Sequence, residues 1–502
     1  MSAAEGQTAR RGQGLIAVGA WTSIARGCGQ LSQLAIVVTA ARFLSPAEFG
    51  VFALVSAVAF VLLRVAEAGW AEFLISWRGD DAAYESTMTA GLAAGSILAT
   101  LGLVCAGILD AMGYASSTAL LMALFSVWVL LSTISAVQGG IMVKRDRVVA
   151  MSLLQIVAEG VGLAVTLLSL AHGDGVLALI YGRLAQQLLF ITVGAALTRV
   201  FPGRLPDRAM RIAMSDFYRN ILLTRLLAIL RLYAATFLIG AFLGPTSVGF
   251  YRVAERLMGA FGELIGEPVR MLAWLTLGPA ARRAGSDPAA IRAALRDTAN
   301  RYFPLMIALS IPPFVLVGMH TTEIVVFVLG EEWRAAAPIA AILAGARLIL
   351  VSAAATEVVL SLVGEVRRAP PVSLINCVAA VVLVLIAAQF DATAVAFAEL
   401  AGSVVAVATT IWLQSRFGGI DWRAIMRRSM FVVPALAACV VTAVLTQQVL
   451  EGFAMPPIVR AVSACMVALL AYGAVIVAIR PAAVRGLKNE APPAEQAAVP
   501  AR

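Results

Sequence analysis

The chain alternates long apolar stretches with short polar ones from end to end. A bilayer core of about 30 Å takes roughly 20 residues of helix, and a tilted helix takes a few more. Fourteen stretches meet that length, at 14–42, 48–76, 84–109, 117–143, 149–171, 175–198, 216–243, 248–276, 303–329, 336–363, 370–389, 392–415, 429–449 and 458–479. The pattern predicts an all-α integral membrane protein of about 14 transmembrane helices. The longest connection between spans contains DPAAIRAALRDTANRYF. Asp287 is placed to cap a helix there and Pro288 to start it, so an amphipathic helix is expected near 287–301, on the membrane face.

Charge then orients the spans. Counted in alternate connections and the two ends, one side holds 25 Lys and Arg; the other holds three, Arg42, Arg334 and Arg460. Positive charge stays on the cytoplasmic side, so both termini are expected there. Composition agrees with a membrane protein. Hydrophobic residues make up 61% and charged ones 13%, with mean hydropathy +0.90. A soluble domain is nearer half apolar and a quarter charged. The net charge of +9 is spread along the chain, without the clustering of a nucleic-acid footprint. Arginine outnumbers lysine, which occurs only at Lys144 and Lys488, and alanine is abundant, as in a GC-rich bacterial coding sequence.

One pattern occurs twice. FLSPAEFGVF runs from Phe43 to Phe52, and FLGPTSVGFY from Phe242 to Tyr251. The first joins spans 1 and 2, the second spans 7 and 8. Pro and Gly suit a tight turn between helices. Their matching places also point to a duplicated six-helix unit, an architecture in which substrate passes between two halves. The expected division is a cytoplasmic segment 1–13, an N-lobe 14–198, a linker 199–215, a C-lobe 216–415, two further helices at 429–479, and a disordered cytoplasmic tail 480–502. Pro46, Gly50, Pro245 and Gly249 are expected to gate the outer ends of the spans they join.

Three stretches carry a family resemblance: ARFLSPAEFGVFALV, FLGPTSVGFYRVAERL and VLGEEWRAAAPIAAILA, the last at 328–344. They resemble the polysaccharide-transporter branch, the Wzx-type oligosaccharide flippases, of the multidrug/oligosaccharidyl-lipid/polysaccharide exporter superfamily. The resemblance implies two pseudo-symmetric six-helix lobes around a cavity lined by spans 1, 2, 7 and 8. It implies a multi-pass protein of the bacterial inner membrane that moves a polyprenyl-diphosphate-linked oligosaccharide from the inner to the outer leaflet, for cell-surface polysaccharides such as lipopolysaccharide or exopolysaccharide. It further implies membrane lipid and, downstream, a polysaccharide polymerase with its chain-length machinery as partners; a monomer is expected. Relatives carry an Asp in span 7 and an Arg before the LG of the second turn. Here those places hold Ala235 and Ala241, so a cation-coupling role for that Asp does not carry over.

Besides Arg42 and Arg460 at span ends, ten arginines fall inside the spans. Each costs roughly 2.5–3.5 kcal/mol at mid-membrane, so each needs protein, water or a ligand. In span 8, Arg252, Arg256, Glu263, Glu267 and Arg270 share one face at 100° per residue. They form either a polar cavity wall or an ion-pair ladder holding the helix to a neighbour. In span 1, Ser23, Arg26, Gln30 and Gln33 form a second stripe. Arg64 and Glu67 in span 2 pair with each other or with span 1. Of Arg219, Arg225 and Arg231 in span 7, Arg231 lies deepest. Gln155, Glu159, Arg347 and Glu357 read as structural polar residues. Guanidinium forks bind phosphate bidentately at any relevant pH, so the arginines suit a diphosphate, with Gln30, Gln33 and Trp70 meeting sugar.

Other chemistries lack their residues. There is no GxxxxGK[ST] phosphate loop. Cys28, Cys105, Cys377, Cys439 and Cys465 lie in apolar runs without CxxC spacing and read as packing residues. The two histidines, His172 and His320, have no metal-ligand partner four residues on. No cofactor or metal is expected. The connections outside are too short for a catalytic domain, so a transporter is expected and not an enzyme. Alternatives within the same architecture are a cation-coupled drug or small-solute antiporter and a lipid II-type flippase.

Overall fold

The computed structural model describes residues 2–67, 69–77, 82–453 and 455–479. Arg78 and the expected tail from 480 lie outside the described residues. All regular structure among the described residues is helical. The α-helices are α1 (Ser2–Phe43), α2 (Pro46–Glu67), α3 (Trp70–Ser76), α4 (Ala82–Ala111), α5 (Ser116–Lys144), α6 (Val148–His172), α7 (Leu177–Thr198), α8 (Arg208–Leu243) and α9 (Pro245–Arg283). They continue as α10 (Pro288–Met319), α11 (Thr321–Leu329), α12 (Ala336–Leu350), α13 (Thr356–Leu362), α14 (Ala369–Ala387), α15 (Ala392–Arg416), α16 (Trp422–Ser429), α17 (Val432–Glu451) and α18 (Pro457–Ile479).

Among the described residues, eleven helical stretches are long and apolar enough to cross a membrane. The three expected spans outside that set are not short. They are α1, α8 and α9, of 42, 36 and 39 residues. Arg252, Glu255, Arg256, Glu263, Glu267 and Arg270 lower the hydropathy of α9, while α8 ends in a shorter apolar stretch, Ile229–Leu243.

The structure corrects the sequence in three places, each through local backbone. The span expected at 48–76 breaks into α2 and α3 at Gly69, whose φ of 92° is open to glycine at little cost. The span expected at 303–329 ends at Met319 and resumes as α11, with His320 as the cap between them. The helix begun at Pro288 runs unbroken through Pro304 into that span, its first turn capped by Asp287, whose carboxylate accepts from the amides of Ala289 and Ala290.

The chain forms two compact units, and they part inside α9. The first unit takes the described residues up to Ala260, with Val328–Ile339 and Cys377–Ala398. In it α4 lies along α5, α6 along α7, and α1 along α6, while α2 packs on α5 and α8. Its core joins Val55, Ala59 and Leu63 of α2 to Phe125, Trp128 and Val129 of α5 and Ile180 of α7. Small residues bring these helices together: a Cβ on Gly162 would lie 3.0 Å from the Gly182 carbonyl, and one on Gly140 would press into the Ala71 backbone. The second unit takes the rest of the described chain. There Phe303 of α10 packs on Trp422 of α16 at 4.8 Å between ring centroids, amid Leu277, Leu295 and Ile425. A second cluster joins α10 to α17 and α18 through Leu316, Ala435, Cys439 and Ala468. Large apolar side chains such as Ile97, Leu264 and Leu470 stay two-thirds exposed or more, which suits a lipid surround. Cys28, Cys105, Cys439 and Cys465 are free thiols.

Candidate functional site

The two copies of the repeated pattern meet. α2 begins at Pro46 and α9 at Pro245, each four residues before a glycine. A Cβ on Gly50 would overlap the carbonyl of Pro245, and a Cβ on Gly249 would overlap the carbonyl of Pro46. The Pro-x-x-x-Gly frame therefore recurs because each copy supplies the proline carbonyl and the glycine of one reciprocal helix contact. Ser45 opens α2 with a capping box: its amide and hydroxyl donate to the Glu48 carboxylate at 2.9 and 2.8 Å, and the Glu48 amide donates back to Ser45 Oγ at 3.3 Å. Before Pro245 stands Gly244, at φ 81°.

The third of the stretches that carry the family resemblance, VLGEEW, packs on the same junction. Trp333 is fully buried. Its ring meets Phe49 edge-on at 5.6 Å and Phe250 at 6.1 Å, and its indole N–H donates to the Ala41 carbonyl at 2.7 Å. Arg42 donates to the Val328 carbonyl at 3.0 Å. Beside the turns a cleft of about 460 Å³ carries Glu48, Ser117, Thr118, Asp174 and Thr246 among its lining.

Deeper in the first unit lies a polar and aromatic cluster. The Arg183 guanidinium on α7 sits over the rings of Phe60 and Trp128, at 5.4 and 5.7 Å, and donates to Gln33 Oε1 on α1 at 3.4 Å. One turn on, Gln186 donates to Glu159 of α6 at 2.7 Å. Glu159 lies against α1 at Gly29. Phe60 stacks on Tyr233 of α8 at 5.7 Å and 15°, and Arg252 of α9 lies 4.9 Å above Tyr233. Aromatic faces thus separate Arg183 from Arg252, and each face attracts its cation. Arg256 donates to Gln30 Oε1 at 3.2 Å, tying α9 to α1.

The expected site residues divide into groups. Gln30, Gln33, Arg252 and Arg256 join this cluster. Arg26 and Arg231 are exposed and make no hydrogen bond or ion pair among the described residues. Arg64 and Glu67 pair with each other at 3.1 Å. Arg252 turns to Glu255, three residues on, at 2.5 Å. Glu263, Glu267 and Arg270 belong to the second unit; there Glu267 pairs with Arg270, both half-exposed, and Glu263 is exposed. Trp70 serves structure: its indole donates to the Ala66 carbonyl at 2.6 Å, closing the α2–α3 break. Arg225 pairs with Glu72 across to α3, and Arg219 with Asp216.

Sequence reasoning passed over Arg183, Glu255, Tyr233, Phe60 and Trp128, and read Glu159 as structural. One signal for Arg183 was present. Arg183, Gln186 and Gln187 fall within two turns of an otherwise apolar span, and such residues rarely face lipid. Four span arginines of the first unit, Arg26, Arg183, Arg231 and Arg256, have no carboxylate within ion-pair distance among the described residues.

Residues 39–338 match the family described as polysaccharide biosynthesis protein. No curated protein matches the chain by sequence. Among solved structures, "Lipid II flippase MurJ, inward closed conformation" is similar over 93% of this chain and 99% of that one, at 12% identity and TM-score 0.70. An inward-facing multidrug resistance MATE family transporter of the MOP superfamily is similar over 78% of this chain and 95% of that one, at 14% identity and TM-score 0.58.

Proposed function

We propose, from the premise that this chain belongs to the polysaccharide biosynthesis protein family, that it is a flippase for a polyprenyl-diphosphate-linked oligosaccharide. The protein is a multi-pass inner-membrane protein with the fold of a transporter. Cargo is taken from the cytoplasmic leaflet and released to the outer leaflet, with both termini cytoplasmic.

The observation that carries this reading is the set of four arginines with no carboxylate in ion-pair distance among the described residues, on α1, α7, α8 and α9. At roughly 2.5–3.5 kcal/mol each in hydrocarbon, four would cost about 10–14 kcal/mol, so they call for an anion. A diphosphate supplies it, and forked guanidinium hydrogen bonds hold it whatever the pH. A carrier of organic cations needs the opposite balance. The Phe60, Trp128 and Tyr233 rings and the Gln30 and Gln33 amides suit sugar faces and hydroxyls. The prenyl tail stays in lipid.

Movement follows alternating access, with the reciprocal contact at Gly50 and Gly249 as the closed form of the outer gate. Cysteines at Ala47 and Thr246, in a background lacking the five native ones, should then cross-link in one transport state only. Equal cross-linking in every state would sink the gate. The cargo itself is read from cells lacking the protein. A capsule-type or lipopolysaccharide-type lipid-linked oligosaccharide should accumulate in the inner leaflet while growth continues. Accumulation of the peptidoglycan precursor with loss of viability would assign a lipid II-type flippase instead.

A further inference from the structure

The second unit holds a histidine with nothing to bond to. His320 is 1% exposed, and neither ring nitrogen has a hydrogen-bond partner among the described residues. It stands at the break between α10 and α11, where its backbone amide is shared by the carbonyls of Leu316 and Val317, and its own carbonyl accepts from Ile324 to start α11. Glu323, one turn on, places its carboxylate 4.0 Å from His320 Nδ1. Gln447 of α17 donates to that carboxylate at 3.3 Å.

Buried polar atoms in folded proteins are almost always hydrogen-bonded, and leaving one unmade is costly. A neutral imidazole has one donor and one acceptor nitrogen, so His320 strands both. The surroundings offer one remedy. A proton on Nδ1 aimed at Glu323 needs the pair to close from 4.0 Å to a charge-assisted hydrogen bond of about 2.8 Å. The Gln447 amide already holds the carboxylate as an acceptor. The other titratable groups of this cluster are the thiols of Cys439 on α17 and Cys465 on α18 and the Tyr472 hydroxyl on α18, which donates to the Ala308 carbonyl at 2.6 Å. Glu451 and Arg460 lie at the ends of α17 and α18 where these helices meet their connection. α12 brings only Ala341 and Ala344 against Gly318.

We propose that His320 and Glu323 form a proton-binding site, clamped by Gln447, that makes transport depend on pH. Histidine changes charge in the physiological range, and the pair titrates as a unit. Taking up one proton from water converts an unbonded imidazole beside a carboxylate into a closed, net-neutral pair. Closing it draws the first turn of α11 by roughly 1 Å toward the break, so the proton is linked to the geometry of α11 against α17. The link to transport rests on the function proposed above; the site itself does not.

The chain has two histidines, and His172 is exposed. Histidine-selective ¹⁵N labelling in lipid nanodiscs therefore gives two ring signals, assigned with His172→Gln. The expected result is that His320 changes protonation between about pH 5 and 8, and that Glu323→Gln lowers its proton affinity at least tenfold. A His320 that keeps one charge state from pH 5 to 9, or a titration unmoved in Glu323→Gln, overturns the site. In liposomes, the flipping rate should follow the same midpoint and lose its pH dependence in His320→Gln. A wild-type rate indifferent to pH overturns the coupling. Absence of any flipping overturns the proposed function instead, and the titration still decides the site.

Discussion

Gly50→Ala tests whether the repeated turns hold each other. In an open stretch of helix, alanine stabilises over glycine by about 1 kcal/mol. Gly259 on α9 and Gly160 on α6 are such positions, with no heavy atom within 4 Å of a built Cβ. At Gly50 the same methyl overlaps the Pro245 carbonyl, and at Gly249 it overlaps that of Pro46. Backbone cannot swing aside as a side chain does, so the strain belongs near the top of the usual range for overpacking, about 3 kcal/mol. Subtracting the helix gain leaves a net loss of about 2 kcal/mol. At roughly 2–4 °C per kcal/mol, each single variant should lower the unfolding temperature by roughly 4–8 °C. Gly160→Ala and Gly259→Ala should hold or raise it. Because both methyls wedge one crossing, the double variant should lose less than the sum, by at least about 0.5 kcal/mol. Unfolding in detergent or nanodiscs, followed by tryptophan fluorescence, reads all of these. If Gly50→Ala matches Gly160→Ala, the reciprocal contact is absent and the reasoning fails.

Other expected outcomes follow from the same geometry. Arg183→Ala should cut flipping at least tenfold in folded protein while Arg183→Lys recovers only part of it, since an ammonium cannot reproduce the planar fork over Phe60 and Trp128; a fully active Arg183→Ala would remove it from the site. Trp333→Ala should destabilise the first unit by about 3–5 kcal/mol, because it empties a fully buried site between Phe49 and Phe250; thermal unfolding checks it. Ser45→Ala should cost about 1 kcal/mol through the lost capping box, measured the same way. The hydrogen bonds from Arg334 hold the Glu331 carboxyl below the usual carboxylate range. That contribution is complete above the ordinary carboxylate value and fades as pH falls through the lowered one. Because the pair is exposed, Glu331→Gln should leave the unfolding temperature unchanged at pH 7.

The fold was open to sequence reading because the bilayer imposes a length and an apolarity that fourteen stretches display. The resemblance to oligosaccharide flippases holds at the level of the family, and the Asp287 cap sits where Asp-Pro placed it. Helix ends buried inside apolar runs left no such trace. The break at Gly69 depends on one dihedral angle, and the break at His320 falls on the short polar stretch His320–Glu323 inside a longer apolar run. Periodicity put Arg252 and Arg256 on one face, but not which partners they choose. Arg252 turns to Glu255 within α9, whereas Arg256 reaches Gln30, 226 residues away. Arg183 meets Gln33 across 150 residues, a distance no local pattern spans. The repeat was plain in the sequence. That its two copies touch each other was not, because the contact runs through backbone carbonyls and absent side chains.

The most direct test of the central claim is transport itself. Purified protein in liposomes holding a polyprenyl-diphosphate oligosaccharide would be followed by an impermeant lectin or glycosidase that reads only outer-leaflet sugar. Wild type should move the sugar outward, and Arg26→Ala, Arg231→Ala and Arg256→Ala should each slow it at least tenfold in folded protein. Translocation that proceeds unchanged in all three variants, or that wild type fails to perform with or without an ion gradient, would contradict the account.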